Sequence, residues 1–251
     1  MIQNIKSTLI PNDSHAFFTN KAINSDKYPL PLDFSFSKYQ DKQKTKSNRQ
    51  LASASLKFNE KKVCYLNQVH SSNVLFVKSA SGQLNKPADG IVTNVHNLGL
   101  AILTADCAPV LFFDPVAKVI GAAHAGWRGA INGVLENTVD AMLTIGAAKK
   151  NISVAIGPCI SKDNYEVGKD LRDKLISNDK KNDKYFYHKL KDKFLFDLSG
   201  FITGKLIKYN IETVIAVNIC TYQEKNNLHS YRHAQHNDYA NHRRNMSLIK
   251  L

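Results

Sequence analysis

The chain is poor in cysteine. Cys64, Cys107, Cys159 and Cys220 are scattered over 251 residues with no Cys-x-x-Cys pair, so neither a disulfide framework nor a ribbon-type structural zinc site is indicated. A reducing cytoplasm is the simplest compartment. Long apolar runs are missing too: the most apolar region, LGLAILTADCAPVLFF, is interrupted by Asp106 and Pro109, which argues against a membrane span. The opening residues, MIQNIKSTLIPNDSHAFF, carry no continuous apolar core of a secretion signal, and the expectation is a soluble, unexported protein. Internal repeats, linkers and low-complexity tails are also lacking, and the size suits a single catalytic domain over 1–251 with a substantial core.

Negative charge is scarce relative to positive: 34 Lys and Arg stand against 21 Asp and Glu, a formal net charge of +13. A nucleic-acid surface would need those cations clustered. The densest stretch, NDKKNDKYFYHKLKDKFLFD, instead interleaves lysine with aspartate. The excess therefore reads as a solvated lysine surface, without a nucleic-acid partner, that mildly favours anionic small molecules.

Among the patterned segments, VCYLNQVH and NVLFVK read as short strands around a turn. LGLAILT, PVLFFD and KVIGAAHA are three apolar runs, the last two joined at Asp114-Pro115. Beyond them Ile131, Val134, Leu135, Val139, Met142 and Leu143 recur at helical steps and predict a helix ending near Gly146. ISVAIGP and TVIAVNIC read as strands, YEVGKDLRDKLIS and LSGFITGKLIKYN as helices, and the polar stretch Ser37 to Gln50 as a loop. The fold class is α/β (α+β), with at least one mixed β-sheet layered against helices.

Three soft side chains close apolar runs: His70 ends YLNQVH, Cys107 follows AILTAD, and His124 ends VIGAAHA. Strand ends are where side chains from different strands converge on one cleft. Two imidazoles and a thiolate suit zinc or copper, and three protein ligands leave the open position of a catalytic site. The separations are too long for a local metal motif, so convergence has to come from the fold. In AAHAGWRGA the small residues around His124 would admit a close backbone approach, and Arg128 with the first N–H groups of the next helix is placed to assist an anion.

NQVHSSNV, ADGIVTN, TADCAPVLFFDP, AAHAGWRG, IGPCIS followed by YEVG, and SYRH together resemble the successive blocks of the multicopper polyphenol oxidoreductase, or YfiH-like, family of purine nucleoside phosphorylases. The likeness runs from HAFFT to the final MSLI. It implies mixed β-sheets packed as a sandwich with flanking helices, a fold shared with certain cysteine deamidase toxins. It also implies phosphorolysis of purine nucleosides such as adenosine, inosine and methylthioadenosine, with adenosine deaminase activity alongside. Position by position, it places the metal ligands on His70, Cys107 and His124, and a substrate or phosphate contact on Arg49.

Asp106 is a candidate general acid, an orienter of a ligand histidine or a turn-capping aspartate, and Arg232 and Arg244 are candidates for phosphate contacts or for pairing with surface carboxylates. Asp89 reads as a turn residue, Trp127 as a base-stacking or packed aromatic, and Cys64, Cys159 and Cys220 as structural. The family's glycine-rich stretch is NKAINSDKY here, its Gly after Gln-Val-His is Ser71, and its second arginine after Ser-Tyr is His233. His229, His233 and His236, spaced by four and three with His242 following, form a rival cluster that reads as exposed or loop histidines.

Other functions compete. Cys107 activated by His124 or His70 gives a metal-free hydrolase or deamidase. A copper polyphenol oxidase needs more coppers than one such site holds, and a cell-wall precursor or nucleotide editing or binding protein would use the cavity for recognition. Whether the protein is a monomer or homodimer is open.

Overall fold

The structure, a computed structural model, describes residues 2–22, 31–36, 41–79, 82–237 and 243–251. In chain order its elements are β1 (Ile2–Ile5), β2 (His15–Ala22), α1 (Lys42–Ser55), β3 (Val63–Asn67), β4 (Val74–Phe76), β5 (Gln83–Pro87), β6 (Gly90–Thr93), β7 (Gly99–Thr104), β8 (Ala108–Asp114) and β9 (Val119–Ala125). There follow α2 (Trp127–Ile131), α3 (Val134–Thr144), β10 (Ser153–Ile156), β11 (Glu166–Gly168), α4 (Lys169–Asn178), β12 (Phe186–Leu190), β13 (Lys193–Phe196), α5 (Leu198–Lys208), β14 (Thr213–Ala216), α6 (Tyr231–His236) and β15 (Asn245–Lys250).

Two six-stranded mixed sheets form the sandwich. One has the order β1-β2-β15-β7-β3-β5 and the other β14-β10-β8-β9-β6-β4, with β11-β13-β12 as a small third sheet. Alternation along the strands explains the layering. Leu111, Phe113, Ile120 and Ala122 from one sheet meet Phe17, Leu100 and Ile102 from the other. Their neighbours Val110, Phe112, Ala123 and Ala125 point the other way, into a core with α3 and α5. On the far side of the first sheet Phe18, Ala101 and Leu248 pack under Ala52 and Leu56 around α1.

Several local expectations change. Residues 42–50 of the expected loop are helical, because the buried face of α1 is made by Thr45, Asn48, Arg49, Ala52 and Ser53; residues 37–40 lie outside the described residues. The helix expected after Trp127 is two helices, broken at Gly133, whose φ of +96° turns the chain through the left-handed region. YEVG is strand β11 ahead of α4 rather than helix. Most consequentially, β3 and β4 are no hairpin: they lie in different sheets, and residues 68–73 cross the sandwich between them. Residues 105–107 make a second such crossing, from β7 to β8. Among the described residues no helix is long and apolar enough to cross a membrane.

Candidate functional site

Both sheet crossings and the end of β9 meet at one end of the sandwich. His70 stands in the first crossing, Cys107 in the second, and His124 faces Pro109 across the β8–β9 ladder. Their ligating atoms all lie within 4.8 Å of one another, and the two imidazole rings are 4.7 Å apart, edge to face. Among the described residues this is the group of three or more such side chains brought within metal-binding reach. His124 is buried, Cys107 half-buried and His70 exposed.

The crossings are held by side chains acting as backbone substitutes. Gln68 extends the β3–β7 pairing, its amide donating to Leu103 O (2.7 Å) and accepting from Leu103 N (2.9 Å). The fully buried Asp89 carboxylate accepts from the backbone N–H groups of Val69 (3.1 Å), His70 (3.0 Å) and Ser71 (2.6 Å), from Ser71 Oγ (2.8 Å), and makes a 2.8 Å contact with His124 Nδ1. Burial alone would raise the Asp89 pKa, yet the hydrogen bonds from His124 and Ser71 hold it at about 2. Burial likewise would lower that of His124, which Cys107 and Asp89 together push up to about 9. Asp89, read from sequence as a turn residue, is thus the partner that orients a histidine of the site. Its Ala-Asp-Gly setting carried no signal of this, since the partner lies 35 positions away.

Asp106 does not orient a ligand histidine. Its Oδ1 accepts from Thr221 Oγ1 (2.6 Å) and its Oδ2 from Arg232 N (2.7 Å), tying the second crossing to the start of α6. Both His70 and Asp106 adopt left-handed backbone, φ +61° and +87°, a conformation that costs such residues ~1–3 kcal/mol and that these side-chain bonds sustain.

Gly126 answers why small residues surround His124. A β-carbon there would lie 2.8 Å from Cys107 Sγ and 2.9 Å from His70 Nδ1, so the three donors can converge only beside a residue that has none. With His124 Nδ1 occupied by Asp89, Nε2 is left to act as donor.

The three side chains open on a cavity of about 430 Å³, also lined by Asp106, Trp127, Arg128, Tyr165, Arg232 and Arg244. Arg232 NH1 donates to Glu166 O (2.9 Å) and Arg244 NH1 to Arg243 O (2.8 Å). The Arg128 guanidinium rides 4.4 Å above the Trp127 ring. Arg49 is elsewhere, which corrects its expected role. It is 2% exposed, its Nε donates to Phe34 O (2.8 Å), and its guanidinium lies between the rings of Phe36 (4.2 Å) and Tyr65 (3.8 Å). Burying a guanidinium between ring faces makes it a packing element.

The rival histidines do not converge. His229 is buried and meets Leu32 O (2.7 Å), His233 approaches Glu224 (3.4 Å), and His236 meets Tyr222 OH (3.1 Å). His229 is therefore neither exposed nor on α6, and His242 lies outside the described residues. His233, the departure from the family's arginine, does not line the cavity. Residues 23–28, most of the stretch that lacks the family's glycines, are likewise outside the described residues. Cys159 and Cys220 are free thiols whose backbones form an isolated parallel β-bridge outside the named strands, and Cys220 Sγ accepts from Ser161 N (3.3 Å).

The profile of the multi-copper polyphenol oxidoreductase laccase family matches residues 14–251. Purine nucleoside phosphorylase of Rickettsia conorii is 35% identical over 181 residues, covering 71% of this chain and 74% of that protein. Its namesake from Haemophilus influenzae is 33% identical over 227 residues, covering 89% and 90%. Among solved structures, a Neisseria meningitidis protein of family DUF152 superposes with a TM-score of 0.83 at 29% identity, over 100% of this chain and 98% of that one. Bacillus licheniformis YfiH does so with 0.83 at 25%, over 94% and 92%.

Proposed function

The chain belongs to the multi-copper polyphenol oxidoreductase laccase family, and from that premise we propose that it is a zinc-dependent purine nucleoside phosphorylase. The reaction converts adenosine, inosine or methylthioadenosine and phosphate into free base and the corresponding ribose 1-phosphate, with deamination of adenosine as a secondary activity of the same cavity. The observation that carries this reading is the convergence of His70, Cys107 and His124 on the floor of a cavity that three arginines line.

The donor set fits a metal. Two imidazoles and a thiol are a soft trio, the absence of a β-carbon at Gly126 keeps the space between them clear, and zinc or copper is the ion such ligands take. Zinc bound there supplies a Lewis-acid face for an incoming phosphate or water. Arg128, Arg232 and Arg244 supply the positive charge that gathers phosphate and offsets the charge of the departing purine. Trp127 and Tyr165 give flat walls for the base. Asp106, with both carboxylate oxygens already accepting, serves as a tether between Thr221 and Arg232. One group of three donors among the described residues is too few for a multi-copper oxidase.

A second reading has its own observation: Cys107, His124 and Asp89 stand in the order of a thiol-histidine-carboxylate triad, since His124 contacts both of the others. Elemental analysis of purified protein beside thiol alkylation separates the two. Active protein with one zinc per chain supports the phosphorylase; active, metal-free protein silenced by alkylation supports the hydrolase.

A further inference from the structure

One carboxylate touches the supports of two candidate ligands that lie 54 positions apart in sequence, His70 and His124. Asp89 Oδ1 is shared by His70 N (3.0 Å) and His124 Nδ1 (2.8 Å). Its Oδ2 takes Val69 N, Ser71 N and Ser71 Oγ. The Asp89 main chain joins in, because its carbonyl accepts from His124 N at 2.7 Å. Five donors for roughly four lone-pair sites exceed what capping one turn requires. Three of them are successive backbone N–H groups, which wrap the carboxylate and force the left-handed turn at His70. Ser71 stands where the resembled family has glycine, and its hydroxyl adds the fifth bond.

We propose that Asp89, reinforced by the Ser71 hydroxyl, is the positioning residue of the site, fixing the His124 tautomer and the His70 turn together so that the three donors are assembled before any ion arrives. The inference rests on the reading of His70, Cys107 and His124 as metal ligands. An imidazole whose Nδ1–H is held by a carboxylate presents Nε2 with one orientation and one tautomer, and loss of such a support lowers metal affinity ~10–100-fold in other proteins. Because the same carboxylate also sets the His70 turn, its loss releases two ligands at once.

The test is a competition titration of zinc against a chromophoric chelator, run with nitrogen-detected NMR of the histidine rings in the metal-free full chain at alkaline pH, where the His124 ring is neutral and has a defined tautomer. For Asp89→Asn the zinc Kd rises ~10–100-fold or more, and His124 changes from a single Nδ1–H tautomer to a mixture. Ser71→Gly, which keeps the carboxylate and removes the hydroxyl's hydrogen bond out of the five, raises the Kd ~2–10-fold. A folded Asp89→Asn protein with wild-type Kd and an unchanged His124 tautomer overturns the inference. If Asp89→Asn does not fold, Ser71→Gly decides alone, and a wild-type Kd there overturns it. A wild-type chain that takes up no zinc overturns the metal reading and this inference with it, whereas wild-type uptake with unaffected variants overturns this inference only.

Discussion

Gly126 lies so close to Cys107 that a β-carbon at 126 would come within 2.8 Å of Cys107 Sγ. The same atom would sit 2.9 Å from His70 Nδ1. Gly126→Ala therefore pushes two donors apart while leaving the sandwich core alone. Overpacking of this kind costs ~1–3 kcal/mol, which corresponds to a loss of zinc affinity of roughly 5- to 150-fold. Metal content after dialysis, beside an unchanged thermal unfolding midpoint of the metal-free protein, is the check.

Arg128 lines the cavity, with its guanidinium over the Trp127 ring. Removing a charge-assisted contact to phosphate costs ~1.5–3 kcal/mol. For Arg128→Met the KM for phosphate should rise about 10-fold or more, with the nucleoside KM changing less. Equal change in both would show that Arg128 shapes the cavity generally.

Arg49 makes the opposite prediction. Between the Phe36 and Tyr65 rings, with Nε on Phe34 O, it holds α1 against the first sheet. Arg49→Met should lower unfolding free energy by about 2 kcal/mol and leave both KM values unchanged. A selective rise in the phosphate KM would restore the substrate role that the family resemblance implied.

His229 gives a pH-dependent component of stability. Burial is the main reason its pKa falls from 6.5 to about 4, only partly opposed by its hydrogen bond to the Leu32 carbonyl. Between those values the unfolded chain binds a proton that the folded chain refuses, so this contribution is complete above about pH 6.5 and declines as the pH falls toward about 4. His15, also lowered chiefly by burial, adds in the same direction. Urea unfolding of wild type and His229→Gln isolates the first: the stability difference between them should shrink from about pH 7 to about pH 5. A difference independent of pH would contradict it.

Much of the candidate site was legible because its donors lie in or just beyond strands and the family resemblance marks the same three residues. His70, Cys107 and His124 each close an apolar run, and the periodicity of the run is visible without the fold. What held them was not legible. Asp89 sits in an ordinary turn sequence; the antiparallel β6–β9 pairing, with Gly90 opposite Ala123, brings His124 to it, and the crossing between sheets brings His70 and Ser71. Helix α1 was hidden for a related reason: Thr45, Asn48, Arg49 and Ser53 form its buried face, so hydrophobic spacing gave no signal. Proximity in sequence favours a β3–β4 hairpin, whereas the apolar faces of these strands serve two different sheets.

The cavity is proposed to cleave nucleosides with phosphate as the acceptor. Base release from inosine by the zinc-loaded protein, followed with and without inorganic phosphate, tests it most directly. Hypoxanthine and ribose 1-phosphate are expected in equal amounts, at a rate that saturates with phosphate and vanishes in His124→Ala. Hypoxanthine appearing with free ribose, at a rate indifferent to phosphate, would contradict it.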